Sequence, residues 1–220
     1  MKIFVQSASV VEIKEWAAAD LLDGVVLSPV DLAADDPSAA ILDRLAEITV
    51  DFGVPVCVPV SAISGADIYR EARDIAHVSE HAIVQIPFVE DAVSPIRKLV
   101  GDGVRVCATH VYSGAQAFIA AKLGASMVAT DVREIDAQGR PSAEMVAEIR
   151  AVIDKCGLEC DVAVTPPQSS TAFTNYLLAG ADVAYVTPEL FASLMVHSLT
   201  DRGVDRYLSA LAKRHKPRSM

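Results

Sequence analysis

Short apolar runs alternate with longer segments of helical period along the whole chain. The runs are Ile3–Val5, Gly24–Leu27, Pro55–Val58, Ala82–Ile86, Val104–Ala108, Ser126–Ala129, Asp161–Val164 and Val183–Val186. Each is rich in Val, Ile or Ala and apolar at consecutive positions, as in parallel strands buried on both faces rather than half-exposed ones. Between the runs, apolar residues recur with helical spacing. They predict helices over Val10–Ala19, Ala39–Val50, Gly65–Val78, Ala92–Leu99, Gly114–Leu123, Ser142–Lys155, Ser169–Leu178 and Pro188–Met195. Pro141 before Ser142 suits a helix start. Gly101, Gly124, Gly157 and Gly180 follow predicted helix ends, where a left-handed cap favours glycine.

Eight strands, each followed by a helix, predict an α/β fold of the (β/α)8 TIM-barrel type, with residues 1–220 forming a single domain. An open doubly wound sheet is the alternative. No G-x-G-x-x-G follows the first strand and no P-loop is present, so nucleotide binding has no motif behind it. An additional C-terminal helix is predicted over about residues 201–214. It places Val204, Tyr207, Leu208 and Leu211 on one face, to be covered by the barrel or by a neighbouring subunit.

Composition narrows the partners. The net charge of −10 argues against nucleic acid and acidic membranes as partners, because their phosphates would be repelled. No apolar run is long enough to span a bilayer and no leader pattern opens the chain. Cys57, Cys107, Cys156 and Cys160 form no C-x-x-C pair and have no paired histidines, so no structural metal and no cofactor is expected. A reduced cytoplasmic protein is the expectation. The basic stretch Lys213–Arg218 reads as a solvated tail.

Several fragments carry a resemblance, among them Lys2-Ile3-Phe4-Val5-Gln6-Ser7-Ala8, Asp23-Gly24-Val25-Val26-Leu27-Ser28-Pro29 and Ala82-Ile83-Val84-Gln85-Ile86-Pro87. Thr109-His110-Val111-Tyr112-Ser113 with Gln116-Ala117, then Leu178-Ala179-Gly180-Ala181-Asp182 and His197-Ser198-Leu199-Thr200-Asp201, complete the series. In order and spacing they resemble the small bacterial-type branch of the transaldolase/fructose-6-phosphate aldolase family, over nearly the whole chain. The resemblance implies a (β/α)8 barrel, assembly into a homo-oligomer (a pentamer or decamer), and a C-terminal helix that reaches a neighbour.

The resemblance also shows where this chain departs. The family's fourth strand carries the lysine that forms a Schiff base with substrate; here that position is Gln85. A carboxamide is neither basic nor nucleophilic, so ordinary Schiff-base aldolase activity is expected to be absent. The first-strand aspartate becomes Gln6, the asparagine of T-N-P becomes Ser28, and a third-strand Glu or Gln becomes Pro59. The asparagine before the retained Thr109 becomes Cys107. An aromatic residue and a phosphate-gripping arginine become Asp131 and Glu134, with Arg133 one place early, and a phosphate-binding serine becomes Pro166.

In a barrel these strand ends converge on one mouth. Gln6, Ser28, Gln85 and Thr109 are expected to form a neutral ring suited to a small carbonyl or polyol ligand without phosphate, or else to satisfy one another. Asp131, the only carboxylate placed in the mouth, is a general acid–base candidate with its pKa raised by the barrel; the other reading is a loop aspartate paired with Arg133 or capping a turn. Cys107 and Arg133 are further candidates for substrate contact. Cys107 otherwise reads, like Cys57, as a small buried hydrophobe, and Arg133 as a surface partner of Glu134. Strand parity places His110 between barrel and helices. No other lysine falls at a strand's C-terminal end. The chain is therefore either a diverged enzyme working without an imine or a catalytically silent homologue that binds a metabolite or co-assembles with an active relative.

Overall fold

The computed structural model describes residues 1–214, with side chains through Ala212. The basic tail from Lys213 thus lies outside the described side chains. Eight strands close into a parallel barrel in sequence order, which excludes the open sheet. They are β1 (Lys2–Gln6), β2 (Gly24–Val26), β3 (Val56–Pro59), β4 (Ala82–Pro87), β5 (Val106–Thr109), β6 (Met127–Asp131), β7 (Asp161–Thr165) and β8 (Val183–Val186). Closure is made by β1 against β8, with Phe4 opposite Tyr185.

Every predicted helix is present. The helices are α1 (Val10–Ala18), α2 (Pro29–Asp35), α3 (Ile41–Phe52), α4 (Gly65–Val78), α5 (Val93–Gly101) and α6 (Gly114–Leu123), then α7 (Val132–Ala137), α8 (Ser142–Lys155), α9 (Ser170–Leu178), α10 (Pro188–Leu194) and α11 (Ser198–Arg214). The short helices α2 and α7 are additions to the set that hydrophobic period predicts. Gly124, Gly157 and Gly180 take left-handed backbone at helix ends. Gly101 does not: it is the last residue of α5, and Gly103 takes the left-handed turn.

Consecutive apolar positions in each strand serve two cores. One parity packs outward against the helices, as with Val25, Val84 and Ile86 on one side of the barrel and Val5, Val128 and Val164 on the other. The other parity fills the barrel with Phe4, Val26, Cys57, Ile83, Cys107, Ala129, Ala163 and Tyr185. Small residues dominate this interior, and the Phe4 and Tyr185 rings, nearly parallel at 11°, supply its bulk.

The helix α11 lies apart from both cores. Val204, Tyr207 and Leu208 on its predicted apolar face are half to two-thirds exposed. No helix of the described residues is long and apolar enough to cross a membrane.

Candidate active site

The period of a strand builds the site. Two residues beyond Phe4, Val26, Cys57, Ile83, Cys107, Ala129 and Ala163, the same inward parity reaches Gln6, Ser28, Pro59, Gln85, Thr109, Asp131 and Thr165. All seven line one cavity of about 320 Å³ at the C-terminal mouth of the barrel, joined by His110 and floored by Tyr185. The strand-to-helix turns at this end are held by side-chain caps. Ser28, Asp131 and Thr187 cap α2, α7 and α10 by accepting from backbone amides of the first turn.

The four expected ring residues and Asp131 each have a side-chain partner. Gln6 Nε2 donates to Asp31 Oδ2 at 3.1 Å, and Ser28 Oγ donates to the same oxygen at 2.6 Å. Asp131 is therefore not the only carboxylate engaged with the mouth: Asp31, in the first turn of α2, holds two of the expected ring members. Gln85, only 7% exposed, turns its amide down the barrel and donates to the Tyr185 hydroxyl at 3.2 Å. That hydroxyl donates to Met127 Sδ at 3.3 Å. The ring residues are thus satisfied, though by Asp31, Tyr185 and His110 rather than by one another.

Asp131 ends β6 and caps α7. Its Oδ1 accepts from the Arg133 backbone amide at 3.0 Å, and its two oxygens accept from Arg133 Nε and Nη2 at 3.2 and 2.9 Å. This is the paired and capping arrangement, on a strand end rather than in a loop. Arg133 does not line the cavity, and its partner is Asp131 rather than Glu134. Cys107 is not in the cavity either. It is fully buried one layer below, with Sγ 3.7 Å from the Tyr185 hydroxyl. Burial pushes the Cys57 thiol up to about 12 and raises Cys107 and Tyr185 as well. Both thiols are therefore protonated and inert, as small buried hydrophobes are.

His110 departs from its expected place. Its backbone takes φ 58° immediately after β5 ends, so strand parity no longer applies. The imidazole is exposed, lines the cavity, and sets Nδ1 3.1 Å from Thr109 Oγ1. Tyr185, Asp31 and Thr165 are the mouth residues that sequence reasoning missed. Among the described residues, no lysine lines the cavity. Lys14, Lys98, Lys122 and Lys155 are on exposed helix faces, and Lys2 pairs with Asp161 at the opposite end of the barrel. Among the described residues, no group of three or more His, Cys, Asp or Glu side chains is arranged to hold a metal ion.

A family model described as transaldolase/fructose-6-phosphate aldolase matches residues 12–217. The chain belongs to the transaldolase/fructose-6-phosphate aldolase family. A protein described as a probable transaldolase from Chelativorans sp. is 32% identical over 213 residues, covering 97% of each chain. Another so described, from Petrotoga mobilis, is 31% identical over 95% of this chain and 94% of its own. Among solved structures, a cube-shaped protein cage designed by fusing symmetric oligomeric domains superposes with a TM-score of 0.63 at 13% identity, over 98% of this chain and 82% of that one. A putative fructose-1,6-biphosphate aldolase from Coccidioides immitis gives 0.57 at 15% identity, over 84% and 73%. At these identities the superpositions speak for the barrel alone, which the transaldolase/fructose-6-phosphate aldolase family model and the strand order already supply.

Proposed function

We propose that this member of the family is a diverged enzyme that enolises, cleaves or isomerises a small non-phosphorylated carbonyl or polyol compound without forming an imine. The observation that carries the reading is the lining of the mouth. Hydrogen-bonding side chains converge on one cavity that, among the described residues, contains no lysine, and Gln85 stands at the position the family resemblance gives to the Schiff base. Gln6, Ser28, Gln85 and Thr109 orient the hydroxyl and carbonyl groups of the ligand. Asp131, fixed by Arg133, is the acid–base group. With Arg133 turned to Asp131, the described lining offers no lysine or arginine for a phosphate, which favours an uncharged ligand.

The test is hydrogen exchange in heavy water with dihydroxyacetone, hydroxyacetone, ketoses and their phosphates, followed by NMR. Exchange next to the carbonyl is expected with unphosphorylated compounds, and Asp131→Asn should lower it by about 10²-fold or more. Borohydride should trap no adduct on the wild-type chain and should trap one on Gln85→Lys, whose buried amine would be partly deprotonated. An adduct on the wild type would overturn the imine-free reading.

The internal bonding of Gln85 to Tyr185 and of Asp131 to Arg133 favours a second reading, a silent homologue that binds a metabolite or co-assembles with an active relative. A folded protein that exchanges no compound of the series would support it. In either case we propose a homo-oligomer, a pentamer or decamer, in which the apolar face of α11 docks on a neighbouring subunit. The exposure of Val204, Tyr207 and Leu208 supports this.

A further inference from the structure

Beyond the orienting hydroxyl of Thr109, the pair Thr109–His110 is left without a chemical role by the reading above, yet its geometry is built for more. His110 and Asp20 are the non-glycine residues with left-handed backbone among those described. That conformation is disfavoured for any residue with a Cβ, and such outliers cluster at functional sites. At His110 the left-handed turn moves the imidazole out of the helix-facing parity and into the lining of the cavity. The ring is then steadied on two sides. Nδ1 is 3.1 Å from Thr109 Oγ1, and the Tyr112 ring stands edge-on with centroids 6.5 Å apart. Gln85 and Asp131, by contrast, are engaged in hydrogen bonds with Tyr185 and Arg133.

We propose that His110, positioned by Thr109, is the second proton-transfer residue of the mouth and serves the oxygen of a bound hydroxyketone while Asp131 serves the neighbouring carbon. The assignment rests on the enolising reading above. In the imidazolium form both ring nitrogens carry a proton. Nδ1–H donates to Thr109 Oγ1, which leaves Nε2–H for the ligand. The C–H bond next to the carbonyl breaks and its proton passes to the Asp131 carboxylate. The C–H electron pair becomes the C=C bond of the enediol, and the carbonyl π pair forms an O–H bond with the proton from Nε2. Asp131 is then neutral, His110 is neutral, and total charge is conserved. Solvent exchange at Asp131 followed by reversal delivers a deuteron to the carbon.

His110→Gly is the informative variant, because glycine takes φ 58° without strain and leaves room for an imidazole molecule. Exchange of dihydroxyacetone in heavy water should fall by about 10²-fold or more. Imidazole added to the solution should restore part of it, a response that a merely structural histidine would not give. The same imidazole should leave Asp131→Asn unrescued. If His110→Gly fails to fold, His110→Asn, whose short amide also tolerates left-handed backbone, should show the same loss. Exchange comparable to wild type in either variant, or a loss in His110→Gly that imidazole leaves unchanged, overturns the role of His110 and leaves the enolising reading standing. A wild-type chain that exchanges none of the compounds overturns both.

Discussion

At the scale of single residues, the contact that shapes the mouth is between Gln85 and Tyr185, a hundred positions apart in the chain. A buried amide without an acceptor costs about 1–3 kcal/mol, which is the loss expected for Tyr185→Phe in urea denaturation. The ring would still stack on Phe4, so the barrel should remain closed. A midpoint equal to wild type would show that the phenol does not anchor Gln85. The sequence made Gln85 legible, because a polar residue inside an apolar strand is conspicuous. It hid Tyr185, which reads as one more apolar member of the run Val183–Val186. Parity places Tyr185 inside the barrel, but only closure of β8 against β1 brings its hydroxyl across to β4. Asp31 was hidden for a related reason: it belongs to α2, a helix the periodicity did not reveal.

At the scale of elements, the strands and long helices followed from hydrophobic period because each buries a continuous face. Whereas α10, as short as α2, packs Leu190, Phe191 and Leu194 on one face, the helices α2 and α7, of seven and six residues, bury only Leu32 and only Val132 and Ile135, too little for a period to show. Their only sequence signals are their caps, Ser28 before Pro29 and Asp131 at the end of β6. The misplacement of His110 has a similar origin, since alternation of faces holds only while a strand persists and β5 stops at Thr109. Within β2, Gly24 is required by space. A Cβ there would lie 2.7 Å from the Phe4 ring, itself stacked on Tyr185. Gly24→Ala should therefore cost about 1–3 kcal/mol by overpacking. A calorimetric melting temperature unchanged from wild type would mean that β1 and β2 have slack the packing does not suggest.

At the scale of the whole molecule, the barrel is complete by Val186, yet the chain continues into α11 with Leu199, Val204, Tyr207 and Leu208 exposed. Truncation after Val196 is expected to leave a folded barrel and to lower the particle mass measured by sedimentation. A full-length chain that sediments as a monomer would leave that exposure without a neighbouring subunit to account for it. The caps at the mouth carry a different implication. Ser28 and Asp131 each close the open end of a helix with the same side chains that line the cavity of the mouth. A change of ligand preference through these positions is confined to the short polar alphabet that can also finish a helix, chiefly Ser, Thr, Asp and Asn. Gln6 and Thr165, on the same rim but capping nothing and bonded to neither Tyr185 nor His110, carry no such constraint. Drift toward a new substrate would therefore run most freely through them, leaving Ser28 and Asp131 as the slow-moving points of the mouth.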